Sequence, residues 1–355
     1  MALSLNPIID SDIKKARTLP SSFYTDSERL AEVKNRFCEL WHFAAHKSQF
    51  KDDSAIELAH MDHLIGEPMI MTKDDKIRCL SNVCTHRGMQ VVGGTCSKST
   101  LQCPYHGRTF NLNGKMRSMP EFDEVEDFPS DQDNLKDFPT LNWKGLIFTG
   151  IEPSEMRGCL EELEKRVGWM PIESFEYDIS RNRSYDIKAN WALYVDNYLE
   201  GFHIPFVHKD LNSVLDYDNY QTELFDGGVL QIGIANEAES TFEIPEDSPD
   251  FGLSVAAYYY WIFPGLMLNF YPWGLSVNLV VPLSVDQSRI IYQGFVWNKE
   301  MLGKGAGGDL DKVELEDQEI VEATQRGVSS QTYDRGRYSP AKETGVHHFH
   351  QILTS

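Results

Sequence analysis

The chain has 355 residues, 41% hydrophobic and 25% charged, with 33 Lys and Arg against 54 Asp and Glu. The length points to two domains and the composition excludes a wholly disordered chain. The formal net charge of -21 argues against nucleic acid or an anionic membrane surface as a partner, and no apolar run approaches the roughly 20 residues of a membrane helix.

Residues 1–37 read as a polar, partly helical lead-in, expected to pack on the C-terminal domain. They lack a basic start followed by an apolar core, so no secretory signal is expected and the cytoplasm is the expected compartment. Residues 38–150 alternate short strand-like runs, such as LWHFAAH and PMIMTKDD, with Gly, Asn, Asp and Pro. That pattern predicts a small all-β domain, with the acidic stretch 121–137 as a loop near its end. Within residues 151–355, a helix is expected at 155–168 and a strand at 179–189. A second helix should begin at 190 and run until Pro205 breaks it. Strand-like segments follow at 221–235, 254–263, 265–271, 275–283 and 288–298, separated by turn-length links. They predict neighbours in one antiparallel sheet. GKGAGG (303–308) is a flexible loop, and residues 309–330 form an amphipathic helix. The fold class is α+β.

Two short pieces of the first domain carry metal-ligand residues. Cys84-Thr85-His86 and Cys103-Pro104-Tyr105-His106 together read C-x-H-x16-C-x2-H. Gly88, Gly93, Gly94 and Gly107 allow tight turns beside them. Structural zinc usually draws two cysteines from one knuckle. One Cys and one His from each knuckle suits a two-iron cluster with unlike irons, one held by thiolates and the other by imidazoles. Residues 76–117 also carry seven basic side chains and no Asp or Glu, a local field that would steer an acidic electron donor. Cys38, Cys79, Cys96 and Cys159 read as buried small hydrophobes or free thiols, since a long chain without a signal argues against a disulfide framework.

The segment 190–210 holds Asp196, Glu200, His203 and His208 as D-x3-E-x2-H-x4-H. The two histidines, five apart, lie about 140° apart around a regular helix, so sharing a metal requires an unwound turn, which Pro205 would supply. Iron(II) that activates dioxygen takes two His and one carboxylate on one face and leaves the other open. In helix 309–330 the apolar stripe is Val313, Ile320, Val321, Thr324 and Val328, and Asp317 lies on it, whereas Glu314, Glu319 and Glu322 fall on other faces. Asp317 is therefore the candidate third ligand, with Glu316 as the alternative. Eight aromatic residues between Tyr258 and Trp273 suit sheet core and edge, or a pocket for a quaternary cation or an aromatic substrate. His347, His348 and His350 read as part of a docked or frayed tail.

Together the two constellations resemble the Rieske non-haem iron oxygenases, specifically the catalytic α subunit of the choline-monooxygenase-like and phenylpropionate-dioxygenase-like group. The resemblance covers almost the whole chain. It implies a Rieske [2Fe–2S] domain followed by a helix-grip catalytic domain around an antiparallel sheet, one cluster and one Fe2+ per chain, and a head-to-tail homotrimer. Cys84, His86, Cys103 and His106 would hold the cluster, and His203, His208 and Asp317 the iron. Glu200 would bridge His203 to His106 of the adjacent subunit, and Asp196 would occupy the acidic position four residues earlier. Most of the family has Asp at the bridge, and Glu there occurs in members that oxidise quaternary ammonium compounds. The implied activity is a terminal mono- or dioxygenase. It would use O2 and electrons from NAD(P)H, delivered by a reductase or ferredoxin, to hydroxylate or demethylate an aromatic acid or a quaternary ammonium compound. The alternative is a Rieske electron carrier whose second domain only docks a partner.

Overall fold

The computed structural model describes residues 8–208, 210, 216–236, 240–308 and 310–355. The chain divides into two units: Lys34–Glu155, and Met156–Ser355 with the described part of Met1–Val33. The helix Ser27–Phe37 runs across the boundary.

The first unit is built from three antiparallel sheets. A five-stranded sheet has the order Thr95–Ser97, Ser54–Leu58, Met69–Lys73, Ile77–Ser81 and Asp137–Phe138. A three-stranded sheet pairs Leu146–Thr149 with His42–His46 on one side and Thr140–Trp143 on the other. A third sheet, Thr100–Gln102, Thr109–Asn111 and Met116–Ser118, carries the second Cys/His knuckle in its first turn. Cys84 and Cys103 belong to the same buried cluster as Ile70, Leu80, Leu101 and Phe110. The knuckles are thus anchored by packing from below.

Three further histidines of this unit, His42, His46 and His60, are buried away from the knuckles. The ring N–H of His42 donates to Phe37 O (2.8 Å) and that of His60 to Phe43 O (3.1 Å). Burial pushes both imidazoles down to about 4. An unfolded chain then takes up protons first as the pH falls. The stability these neutral rings contribute is present above about pH 6.5 and is lost as the pH falls toward 4. Between about pH 7 and pH 5 each ring withdraws on the order of 2 kcal/mol. Calorimetric melting across that interval should show a shallower acid slope for His42→Gln than for the wild type.

Among the described residues the second unit is a seven-stranded antiparallel sheet with helices packed on it. Its order is Glu176–Ile187, Gln287–Val296, Gly274–Ser284, Leu266–Tyr271, Val255–Ile262, Gly228–Ile234 and Gln221–Phe225. From Gln221 onward the strands form a meander. Glu176–Ile187 joins its far edge and pairs with the last strand. Segment 221–235, expected as one strand, is a hairpin turned at Asp226 and Gly227, where Gly227 has φ +76°.

The helix Trp191–Tyr198 packs on the strand Gly274–Ser284 and against the helices Leu310–Val328 and Thr344–Thr354. Asn190 caps it by accepting from Ala192 N (2.9 Å). Gln325 accepts from Asn190 N (2.8 Å) and Glu322 from Lys188 N (2.9 Å). Glu314 accepts from the Tyr194 hydroxyl (2.6 Å). These bonds set the rotational phase of Leu310–Val328 differently from its apolar pattern. Glu314 and Gln325 are buried, whereas Ile320 and Thr324, expected inside, are exposed. Val321 and Val328 face inward as expected, and Asp317 is half-buried.

The C-terminal histidines are docked. His347 donates to Asp10 O (2.8 Å), His348 to Phe225 O (3.0 Å), and His350 pairs with Asp196 (2.7 Å).

Candidate metal centres and substrate cavity

The two knuckles of the first unit have the same backbone design. Cys84 N–H donates to Met89 O and Cys103 N–H to Arg108 O, both at 2.8 Å. Gly88 N–H returns to Cys84 O (2.9 Å) and Gly107 N–H to Cys103 O (3.1 Å). Both glycines are left-handed, at φ +71° and +74°, a conformation open to glycine without strain. Each loop holds its cysteine inside, and the two thiols meet. Each brings its histidine to the rim, where the rings of His86 and His106 lie 4.8 Å apart. Two buried thiols beneath two half-buried imidazoles fit a [2Fe–2S] cluster with one sulfur-bound and one nitrogen-bound iron.

The charge around this rim differs from the sequence pattern. Arg78 is spent on Asp74 and Asp75. Arg108 is buried, donates to Thr85 Oγ1 (2.6 Å) and pairs with Asp133 (3.2 Å). Its guanidinium carbon lies 5.2 Å from the ring centre of Phe128 and 5.7 Å from that of Phe122, while Phe122 meets His86 edge-on at 5.5 Å. The acidic segment 121–137 is therefore a third loop that packs on the knuckles, and the basic field is partly neutralised from within.

In the second unit, His203, His208 and Asp317 bring ligand atoms within 4.8 Å of one another. Pro205 starts a short helix, Ile204–Val207, instead of breaking one. His203 precedes this helix and His208 ends it. The break lies earlier, where Trp191–Tyr198 stops at Leu199. His208 then leaves helical geometry (φ -105°, ψ 74°), so both rings turn to one side. Their centres are 5.0 Å apart.

Each ring is fixed by a carboxylate on its far nitrogen. Glu200 Oε1 takes His203 Nδ1 (2.7 Å) while Oε2 accepts from His203 N (3.0 Å). Glu316 Oε2 takes His208 Nδ1 (2.8 Å). Both Nε2 atoms are left facing Asp317 Oδ1, at 3.5 Å from His203 and 2.9 Å from His208. Two imidazole nitrogens and one carboxylate oxygen converging from one side suit ferrous iron with an open face. Glu316, the alternative ligand by sequence, orients His208 from behind. Asp196 lies elsewhere: it accepts from the Tyr24 hydroxyl (2.8 Å), pairs with His350, and lines a neighbouring cavity with Glu200 and Glu343.

The triad opens on a cavity of about 810 Å³, counting its mouth. The sheet supplies its floor as two cross-strand rows. Gln231, Tyr259, Asn269 and Ser276 are register partners across four strands, and Asn278 pairs with Tyr292 in the next row. Gln231, Asn269, Ser276 and Asn278 are all buried. Tyr198 donates to Asn269 Oδ1 (2.5 Å), and Ser276 to Asn278 Oδ1 (2.8 Å). Of the eight aromatics between Tyr258 and Trp273, only Tyr259 and Tyr271 line this cavity among the described residues. Sequence reasoning missed the polar floor. The signal was present in GLSVNLVV, where Ser276 and Asn278 are two apart in an apolar strand and so share a face.

Residues 174–355 match the family described as ring hydroxylating alpha subunit (catalytic domain), and residues 40–129 match the Rieske [2Fe–2S] domain. The chain belongs to the Rieske-type ring-hydroxylating oxygenase α subunits. It is an oxygenase, the terminal component of an electron-transfer system, and carries a [2Fe–2S] cluster and a mononuclear iron. Choline monooxygenase of Arabidopsis thaliana is 29% identical over 96% of this chain and 83% of its own. The carnitine monooxygenase oxygenase subunit of Escherichia coli K12 is 27% identical over 96% of this chain and 94% of its own. In fold, a quaternary ammonium Rieske monooxygenase superposes with TM-score 0.82, at 24% identity, over 98% of this chain and 99% of that one. Naphthalene 1,2-dioxygenase from Rhodococcus gives 0.76 at 18% identity, over 95% and 93%. No described helix is long and apolar enough to cross a membrane.

Because Glu316 fixes the His208 ring, Glu316→Ala should weaken iron retention about 10- to 100-fold while the visible cluster spectrum stays unchanged. Dialysis against graded chelator, followed by metal analysis, checks this.

Proposed function

We propose that this oxygenase hydroxylates a quaternary ammonium compound at a carbon beside nitrogen. Its electrons come from NAD(P)H through a reductase, directly or by way of a ferredoxin. The observation that carries the reading is the cavity beside His203, His208 and Asp317, whose wall includes the tyrosines Tyr194, Tyr198, Tyr220, Tyr259, Tyr271 and Tyr292. Aromatic faces attract quaternary cations. The choline and carnitine monooxygenases among its relatives support the same class.

In this reading Cys84, Cys103, His86 and His106 hold the cluster, and His203, His208 and Asp317 hold the iron. When bound, these groups supply stored electrons and dioxygen activation. The protein's part is orientation. Glu200 keeps the His203 Nδ1 proton turned away from the metal position, and Glu316 does the same for His208. Asp196, held by Tyr24 and His350, lines a neighbouring cavity with Glu200.

The reading includes a homotrimer in which Glu200 meets His106 of the adjacent subunit. Exposed apolar side chains beside each partner support this. Phe206 is 75% exposed and Phe202 43% exposed beside His203, while Tyr105 is 57% exposed and Met89 42% exposed beside the knuckles. The cytoplasm is the proposed compartment, supported by six cysteines free of disulfides.

Substrate-dependent oxygen uptake with a surrogate reductase tests the activity. Quaternary amines should stimulate uptake and aromatic acids should not; the reverse pattern contradicts the reading. Purified protein should hold about three irons per chain and Asp317→Ala about two, with the cluster's EPR signal intact. Glu200→Gln should keep all the iron yet lose most coupled turnover, and full turnover in that variant would remove Glu200 from the bridge.

A further inference from the structure

Glu314 has no place in the metal sites, yet it lines the cavity beside them. It is 5% exposed. One oxygen accepts from the Tyr194 hydroxyl (2.6 Å) and the other from Gln318 Nε2 (3.2 Å). Tyr194 in turn meets the Tyr292 hydroxyl (2.6 Å). Among the described residues no lysine or arginine pairs with Glu314, and none lines the cavity. The nearest arginines of this region line a separate cavity that shares only Ser276, Tyr292 and Glu314 with the first. There Arg183 pairs with Asp311 (3.0 Å) and Arg181 stacks 4.7 Å over Trp273. Burial pushes the Glu314 carboxyl up to about 8, as expected for an acid without a counter-charge.

A buried carboxyl without a cation holds its proton near neutral pH, and a cation that reaches it displaces that proton and pairs with the carboxylate. The other two acids of the cavity are engaged, Glu200 with His203 and Asp317 with both imidazoles. Glu314 is the acid whose partners, Tyr194 and Gln318, are both uncharged. Together with the tyrosine wall it forms a receptor for a delocalised positive charge, because a low-dielectric setting strengthens the attraction. The same setting works against a second, negative end on the ligand. Among the described residues a carboxylate in this cavity would meet Glu200 and Glu314 and no lysine or arginine, which leaves the iron position at His203, His208 and Asp317 as its one positive neighbour.

We infer that Glu314 is a specificity-determining residue that selects cations lacking an acidic group, of the choline type, over zwitterions of the carnitine type. This rests on the quaternary-ammonium reading and narrows it.

The test is direct binding, independent of turnover. The full-length protein is titrated calorimetrically, with and without ferrous iron, against choline, L-carnitine and 3,3-dimethylbutan-1-ol, the uncharged isostere of choline. The wild type should bind choline about tenfold or more tightly than either other compound. Glu314→Gln should lose about tenfold in choline affinity, hold the isostere within about twofold, and narrow the gap between choline and carnitine. Retained isostere binding also shows that the variant's cavity is folded. Should the variant be unstable, the wild-type ratio of choline to its isostere still measures the charge contribution. Three results overturn the inference while leaving the ammonium reading in place: carnitine binding as tightly as choline, Glu314→Gln leaving choline unchanged, or the variant losing the isostere in step with choline. Failure of all three compounds to bind the wild type removes both.

Discussion

A carboxylate behind each imidazole is the interaction on which the catalytic unit depends. Histidine has two ring nitrogens, and a metal site works only if the correct one is free and correctly aimed. Here Glu200 and Glu316 occupy Nδ1 of His203 and His208, so both Nε2 atoms point at Asp317. The rest of the unit serves this alignment. Bonds from Glu314, Glu322 and Gln325 lock Leu310–Val328 onto Trp191–Tyr198 and its lead-in, which fixes Asp317 relative to the histidine turn.

The sheet answers a second requirement. A cavity inside an apolar fold needs polar groups that are satisfied when nothing is bound. The rows through Gln231, Asn269, Ser276 and Asn278 meet part of it by bonding to one another and to Tyr198. The opposite face of the same strands carries Leu268, Phe270, Leu275 and Val277 and builds ordinary core. One strand therefore serves stability and recognition on alternate residues.

Much of this was legible in the sequence, and the parts that were not share a physical cause. The Cys/His knuckles were readable because their ligands are local: spacing and glycines suffice. The α+β class and the meander were readable from apolar runs and turns. The sequence puts Asp317 on an apolar stripe that the structure rotates, and the structure brings its carboxylate beside His203 and His208. Ile320 and Thr324 are exposed, and Glu314 is inside, because side-chain hydrogen bonds from another helix outweighed the apolar pattern. Glu316, the alternative ligand by sequence, stands behind His208, a distinction that depends on which ring nitrogen it reaches. Arg78 and Arg108 were counted as a surface field, although one is paired locally and the other buried under a loop some 25 residues away in the chain. Long-range pairing of this kind leaves no local periodicity to read.

In the proposed reading, one chain builds two different iron centres from these two donor sets. Anomalous scattering from crystals on either side of the iron absorption edge tests it most directly. The expected result is an iron peak among His203 Nε2, His208 Nε2 and Asp317, with a separate pair of iron peaks between Cys84, Cys103, His86 and His106. A single zinc at the knuckles, or an iron-loaded crystal with no iron peak at the histidine–aspartate triad, would contradict it.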